Sequence, residues 1–157
     1  MSSSPRNRRT IAAEDSPQRH KDTKVQTTET EPIPAEVNEL SALVVDAAFA
    51  VHKELGPGLL ESVYEVCLCR ELTLRNIPFR SQVPFPISYK GMRLEAGLRL
   101  DLVVRGSIIV EIKAVQRMEP VFEAQLLSYL KLTGLRLGLL INFNVPLIKH
   151  GISRVAV

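Results

Sequence analysis

The chain predicts an α/β sandwich in which helices cover both faces of a mixed β-sheet. Three observations carry this expectation. Apolar residues recur at helical spacing over two early segments and one late one. Between and after them the period changes to alternation, or to short continuous apolar runs of strand length. The resulting order is helix, helix, three or four strands, helix, strand, which a layered α/β domain accommodates.

The first helix follows from Val37, Leu40, Val44, Ala47, Ala48, Val51 and Leu55, and Gly56-Pro57-Gly58 ends it. Leu60, Val63, Tyr64, Cys67, Leu68 and Leu72 form the inner stripe of a second helix that fades near Asn76. Val83, Phe85, Ile87 and Tyr89 then alternate with Pro84, Pro86 and Ser88. Proline donates nothing to a ladder, so this strand belongs at an edge. Lys90-Gly91 turns the chain into a strand over about Met92 to Ala96, and Leu98–Val104 and Ser107–Lys113 make a central hairpin. Pro120 suits the first turn of a third helix that runs to Thr133 and stops at Gly134. Leu137–Phe143 and Ile152–Val157 supply the remaining strands.

With 157 residues the chain accommodates one domain with a real core. Residues 1–36 read as a disordered tail and 37–157 as the folded unit. All eight Phe and Tyr residues lie from Phe49 onward, and the early segment is dominated by Ser, Thr, Pro and charge. The formal charge of +3 is unevenly spread. Residues 38–79 carry three basic and six acidic groups, and residues 80–157 carry eleven basic and five acidic groups. A basic C-terminal half points weakly to nucleic acid. The apolar runs fall short of a membrane span, and the N-terminus has no continuous hydrophobic signal region, so no membrane partner and a cytoplasmic location are expected. Cys67 and Cys69, two apart on a helix, point roughly 200° apart and cannot jointly grip one metal.

Chemistry concentrates on the hairpin. Asp101, Glu111 and Lys113 sit among Leu, Val and Ile, where an unpaired charge is costly. Glu111 and Lys113 are two apart and share a strand face. Asp101 joins them only if the intervening loop is odd or the strand bulges. A two-residue Arg105-Gly106 loop pairs Asp101 with Val110 and sends its carboxylate to the opposite face. A three-residue Val104-Arg105-Gly106 loop pairs it with Ile109, diagonal to Glu111. In the second geometry, Asp101 and Glu111 supply hard oxygen ligands for Mg²⁺ or Mn²⁺, and the Ile112 carbonyl offers a third. Lys113 would orient the attacking water or offset phosphate charge. From spacing alone, a structural ion pair between Lys113 and a carboxylate is the competing explanation. Gln125 and Tyr129 are four apart and share a face of the third helix, with Phe122 and Leu132 continuing its apolar stripe. A glutamine on that face needs a hydrogen-bond partner. Glu61, in the first turn after Gly58, is explained well enough by the helix dipole alone.

Gly58-Leu59-Leu60-Glu61-Ser62-Val63-Tyr64 matches Gly-x-x-Glu-x-x-Tyr, and the chain resembles the GxxExxY protein family from about Val51 to its C-terminus. The likeness includes Tyr89-Lys90-Gly91, Arg99-Leu100-Asp101-Leu102, Val110-Glu111-Ile112-Lys113, Glu123-Ala124-Gln125-Leu126 and Leu139-Leu140-Ile141-Asn142-Phe143. That family is similar to the PD-(D/E)xK nuclease superfamily. The resemblance implies a restriction-endonuclease-like three-layer sandwich with the β-hairpin at its centre. Gln125 and Tyr129 resemble the Gln-x-x-x-Tyr element of the RecB-type exonucleases, whose helical acidic residue corresponds to Glu61. The implied catalytic set is Glu61, Asp101, Glu111, Lys113, Gln125 and Tyr129, with metal ligands from Glu61, Asp101, Glu111 and Ile112. Leu100 stands where the superfamily pattern has proline. The implied activity is divalent-metal-dependent hydrolysis of nucleic acid, with DNA as the expected substrate. A homodimer or a protein partner would supply specificity, since no recognition insertion is evident. The competing expectation is a catalytically silent nucleic-acid- or partner-binding module on the same scaffold.

Overall fold

A computed structural model describes residues 31–157, so most of the expected tail lies outside the described residues. The three helices are α1 (Ala35–Leu55), α2 (Glu61–Leu74) and α3 (Pro120–Thr133). The strands are β1 (Phe79–Tyr89), β2 (Met92–Val104), β3 (Ile108–Lys113), β4 (Leu137–Asn142) and β5 (Ile152–Ala156). They form one five-stranded sheet in the order β1-β2-β3-β4-β5. Only β3 and β4 are parallel, and α3 is the crossover between them; every other neighbouring pair is antiparallel.

Two cores sandwich the sheet. On one side α1 and α2 bring Val44, Ala48, Tyr64, Leu68 and Leu72 onto Leu102, Val104, Ile108, Val110, Ile112, Leu139 and Ile141. On the other, Leu126 and Leu130 of α3 cover Val103, Ile109 and Leu140. The alternation along β3 is therefore strict, with 108, 110 and 112 toward α1 and α2 and the odd positions toward α3. The layer beneath α3 is tight. A Cβ at Gly138 would lie 2.7 Å from the Leu126 side chain, so only glycine lets the helix approach β4 this closely.

The helix and strand order agrees with the sequence, and β1, with its two prolines, is an edge strand. Four details differ. β1 starts at Phe79 rather than Val83, and β2 is one continuous strand of 13 residues rather than two. α1 begins at Ala35 rather than at Val37, and Ile33 packs against its core. Leu60 and Val63, read as part of the inner stripe of α2, are exposed at 73% and 37%. The α2 helix fully buries only the narrow row Tyr64, Leu68 and Leu72.

Candidate active site

The site forms where β2 and β3 part company. Their ladder pairs Val104 with Ile108, Val103 with Ile109 and Leu102 with Val110, and then ends. The loop is Arg105-Gly106-Ser107, with both Arg105 (φ 47°) and Gly106 (φ 62°) left-handed and the Ser107 N–H bonded to the Val104 carbonyl at 2.9 Å. It has the odd length that brings Asp101 to the face of Glu111, but it lies one residue later than Val104-Arg105-Gly106. Counting on from Leu102–Val110 sets Asp101 directly opposite Glu111, not opposite Ile109. Main-chain bonding there is replaced by side chains. The Asp101 N–H donates to Glu111 Oε1 at 3.2 Å, and the Ile112 N–H donates to Asp101 Oδ2 at 2.9 Å.

A second irregularity accompanies the first. Leu100 packs on the α3 side, whereas Leu102, two residues on, packs under α1 and α2. Strict alternation forbids that, so the strand changes face at Asp101. Its counterpart on β1 is Gln82, at φ 51°, which is skipped in the β1–β2 register between Ser81 and Val83. The Gln82 amide donates to both carboxylate oxygens of Glu65 on α2, at 2.7 and 2.9 Å. The register is the same on both sides, Ser81 with Leu102 and Val83 with Leu100, so this is a matched kink in two paired strands and it re-aims the Asp101 side chain.

Glu111 is 5% exposed, and its carboxyl is pushed up to about 8, first by burial and then by the facing charge of Asp101. The Asp101 N–H and the Lys113 charge oppose that rise. Glu61, at the N-terminus of α2, also lies above its ordinary value through burial, then Asp101, with Lys113 pulling the other way. Tyr129 is raised by burial, then by Glu111 and Asp101. Asp101 and the Glu111-Ile112 segment are joined by hydrogen bonds, Glu61 feels the charge of Asp101, and Tyr129 feels the charges of both acids. Lys113 Nζ lies 4.7 Å from the centroid of the Phe122 ring of α3, a cation–π contact that holds it on this side of the sheet.

Gln125 stands apart. It is exposed, so its amide can hydrate freely and the reasoning that it needs an internal partner does not hold. Leu132, assigned to the same stripe, is likewise exposed; the buried stripe of α3 runs through Leu126 and Leu130. The Ile112 side chain is buried in the core, and its N–H holds Asp101. Cys69 is pushed up to about 11 by burial and by Glu65, which leaves it an unreactive thiol.

Two residues to which the sequence reading gave no role in the site support it. Tyr64 is wholly buried and stacked on Phe143 with ring centroids 4.6 Å apart. Its hydroxyl donates to the Gly56 carbonyl at 2.6 Å and accepts from the Leu59 N–H at 3.1 Å. The tyrosine of Gly-x-x-Glu-x-x-Tyr thereby fixes the Gly56–Gly58 turn, whose glycines have φ of 70° and 94°, and with it the start of the helix that carries Glu61. Buried Asn142 closes the other side. Its Oδ1 accepts from the Val115 and Asn144 N–H groups at 3.1 Å each, and its Nδ2 donates to the Val115 carbonyl at 2.9 Å. The Phe143 N–H bonds the Lys113 carbonyl at 2.9 Å, so the chain leaving Lys113 is tied down from β4. A polar residue ending the apolar run Leu137–Ile141 was the available signal for Asn142; Gln82 left none.

The donor chemistry suits a divalent ion. Half-buried Asp101 faces buried Glu111 and disfavours its charge, and a cation between the two carboxylates would relieve that. Among the described residues no three His, Cys, Asp and Glu side chains gather closely enough to hold an ion by themselves. An ion such as Mg²⁺, which takes one or two carboxylates and keeps several waters, does not require three.

A five-stranded sheet between helical layers, with an acid pair and a lysine on its central hairpin, defines the restriction-endonuclease-like class. The chain matches the family model of the PD-(D/E)XK nuclease superfamily over residues 38–155, and it belongs to that superfamily. No curated protein and no solved structure matched it. Among the described residues no helix is long and apolar enough to cross a membrane.

Proposed function

We propose that this protein is a nuclease that hydrolyses phosphodiester bonds of DNA with Mg²⁺ or Mn²⁺. The observation that carries the reading is the opposed Asp101–Glu111 pair, with Lys113 two residues further along the same strand face. Membership of a superfamily of metal-dependent nucleases supports the same class of reaction.

In this reading Asp101 and Glu111 hold the metal, with the Ile112 carbonyl and Glu61 completing the protein's share of the shell. A divalent ion held there would supply a water of lowered pKa and charge to offset the scissile phosphate. The protein's own residues do the rest. Main-chain N–H groups of Asp101 and Ile112 orient the two carboxylates, so that neither has to be reorganised when substrate arrives. Lys113 holds its ammonium beside the acids, where it orients the attacking water or offsets charge on the phosphate. Tyr129 of α3 feels the charges of the same acids, and exposed Gln125, one turn earlier, is free to meet the nucleic-acid backbone. Glu61 draws its position from the Tyr64-locked turn.

The test is direct. Purified protein is incubated with linear and circular, single- and double-stranded DNA in Mg²⁺, in Mn²⁺ and in EDTA. Cleavage that requires the metal and disappears in Asp101→Ala is expected. Metal-independent binding without cleavage would replace the reading with a silent nucleic-acid-binding scaffold.

A further inference from the structure

β1 and β2 continue as a two-stranded ribbon well beyond the sheet. β3 pairs with β2 only over Leu102–Val104, so from Arg99 outward the ribbon has no third strand. It runs to a two-residue Lys90-Gly91 turn, with both residues left-handed and Tyr89 paired to Met92. On β1, six strand steps separate Val83, the partner of Leu100, from Tyr89, the partner of Met92, a reach of about 20 Å at about 3.3 Å per residue. A register shift between Phe85 and Ile87 bends the ribbon, and Gly97 gives Ile87 room there, since a Cβ at that position would lie 2.4 Å from its side chain.

The outer part has two faces. Ile87 pairs with Leu94 and Tyr89 with Met92, so these four share one face. Three of them are well exposed, Tyr89 at 58%, Met92 at 55% and Leu94 at 43%. Lys90 Nζ lies 5.4 Å from the Tyr89 ring centroid. From Arg99 outward the ribbon also carries Lys90, Arg93 and Arg99, all exposed, against the one acid Glu95, which Arg93 already neutralises. Three cations against one paired carboxylate is a polyanion-binding composition.

We propose that this ribbon is the element that grips duplex nucleic acid, lying in a groove beside the cleavage site. The inference rests on the nuclease reading for the orientation of the substrate. The root of the ribbon is the kink at Asp101 and Gln82, so a duplex whose phosphate reaches Asp101 extends along the arm. A two-stranded ribbon fits the major groove, and apolar side chains at its tip can press on sugars and base edges while the cations meet phosphates. A second copy of the chain is the poorer occupant. Two such ribbons brought together would oppose their cations, and Pro84 and Pro86 strip donors from the free edge of β1 that strand addition would need.

The experiment measures wild type, Lys90→Glu/Arg93→Glu and, as a control of equal charge change, Lys53→Glu/Lys149→Glu, on α1 and on the 3₁₀ turn Ile148–His150 after β4. Anisotropy of a labelled 30-base-pair DNA duplex in EDTA gives affinity and its salt dependence. Sedimentation gives oligomeric state, and cleavage in Mg²⁺ is followed on the same preparations. Ribbon reversal is expected to weaken duplex binding at least tenfold and to lower the salt slope by about 2, the loss of two phosphate contacts. The control should change affinity less than twofold. Equal effects of the two pairs, no effect of either, or no duplex binding by wild type would each overturn the proposal. So would a wild-type dimer that ribbon reversal splits with duplex affinity unchanged, which would assign the arm to a second copy. Cleavage that survives ribbon reversal with unaltered duplex affinity rejects the ribbon and keeps the nuclease. Ribbon-dependent binding without cleavage by wild type rejects the nuclease and keeps the ribbon.

Discussion

Replacing Glu111 by glutamine should stabilise the metal-free protein at alkaline pH and flatten its stability profile. The Glu111 carboxyl is pushed up to about 8 in the folded chain, against 4.5 ordinarily, because it is buried and faces Asp101. Between those values the folded state keeps a proton that the unfolded state has released. The folded state therefore binds more protons, and stability falls as pH rises through that window. This group's favourable contribution is complete below about 4.5 and gone above about 8, the reverse of a carboxylate with a depressed pKa. Each tenfold displacement carries about 1.4 kcal/mol, so the cost of ionising the Asp101–Glu111 pair is on the order of 3–5 kcal/mol. Glutamine keeps an oxygen for the Asp101 N–H and nearly the same volume, but never ionises. Urea unfolding in EDTA at pH 6 and pH 9 reads the effect. Wild type should lose about 3 kcal/mol through Glu111 between the two, since about two tenfold steps of its window lie above pH 6, and Glu111→Gln only the smaller part left to Glu61 and other groups. Parallel pH profiles for the two proteins would refute the buried-pair assignment.

Tyr64→Phe keeps the stack on Phe143 but removes the bonds to Gly56 and Leu59; urea melts should show a loss of about 1–3 kcal/mol, and DNA cleavage should slow as the Glu61 turn loosens. Asn142→Ala strands the polar groups of Val115 and Asn144 and should cost about 2–4 kcal/mol by the same measurement. Gly138→Ala drives a methyl into Leu126 and should cost about 1–3 kcal/mol by thermal or urea unfolding while leaving metal affinity, read by calorimetry, unchanged.

Periodicity and the proline positions were enough to read the order of helices and strands, the edge position of β1 and the helices on both faces. Period-two patterns report burial on a sheet, and both β3 and β4 are buried on two faces, so their apolar runs are unambiguous. The inner face of α2 was less legible, because Leu60 and Val63 satisfy helical spacing although no other described element covers them. The hairpin register could be reduced to a parity question but not answered, since it turns on Ser107 joining the loop, and nothing in Val104-Arg105-Gly106-Ser107 fixes which three residues are excluded from pairing. Gln82 was invisible for a related reason. Its left-handed backbone is imposed by the strand opposite, where Asp101 changes face, and not by any local preference for φ > 0. Gln125 was misjudged because an amide at i−4 from Tyr129 was taken to share its burial, whereas α3 turns that position toward solvent.

The central claim is that Asp101 and Glu111 jointly hold a divalent ion and that Lys113 acts beside it. Calorimetric titration of Mn²⁺ into wild type, Asp101→Ala, Glu111→Ala and Lys113→Ala, with DNA cleavage followed on the same preparations, tests it most directly. Wild type should bind and cleave. Asp101→Ala and Glu111→Ala should lose both, because each removes an oxygen ligand, and Lys113→Ala should lose cleavage while keeping most of its Mn²⁺ affinity, because an ammonium group touches water or phosphate and not the ion. Equal Mn²⁺ affinity in wild type and Glu111→Ala, together with cleavage at the wild-type rate, would contradict the claim.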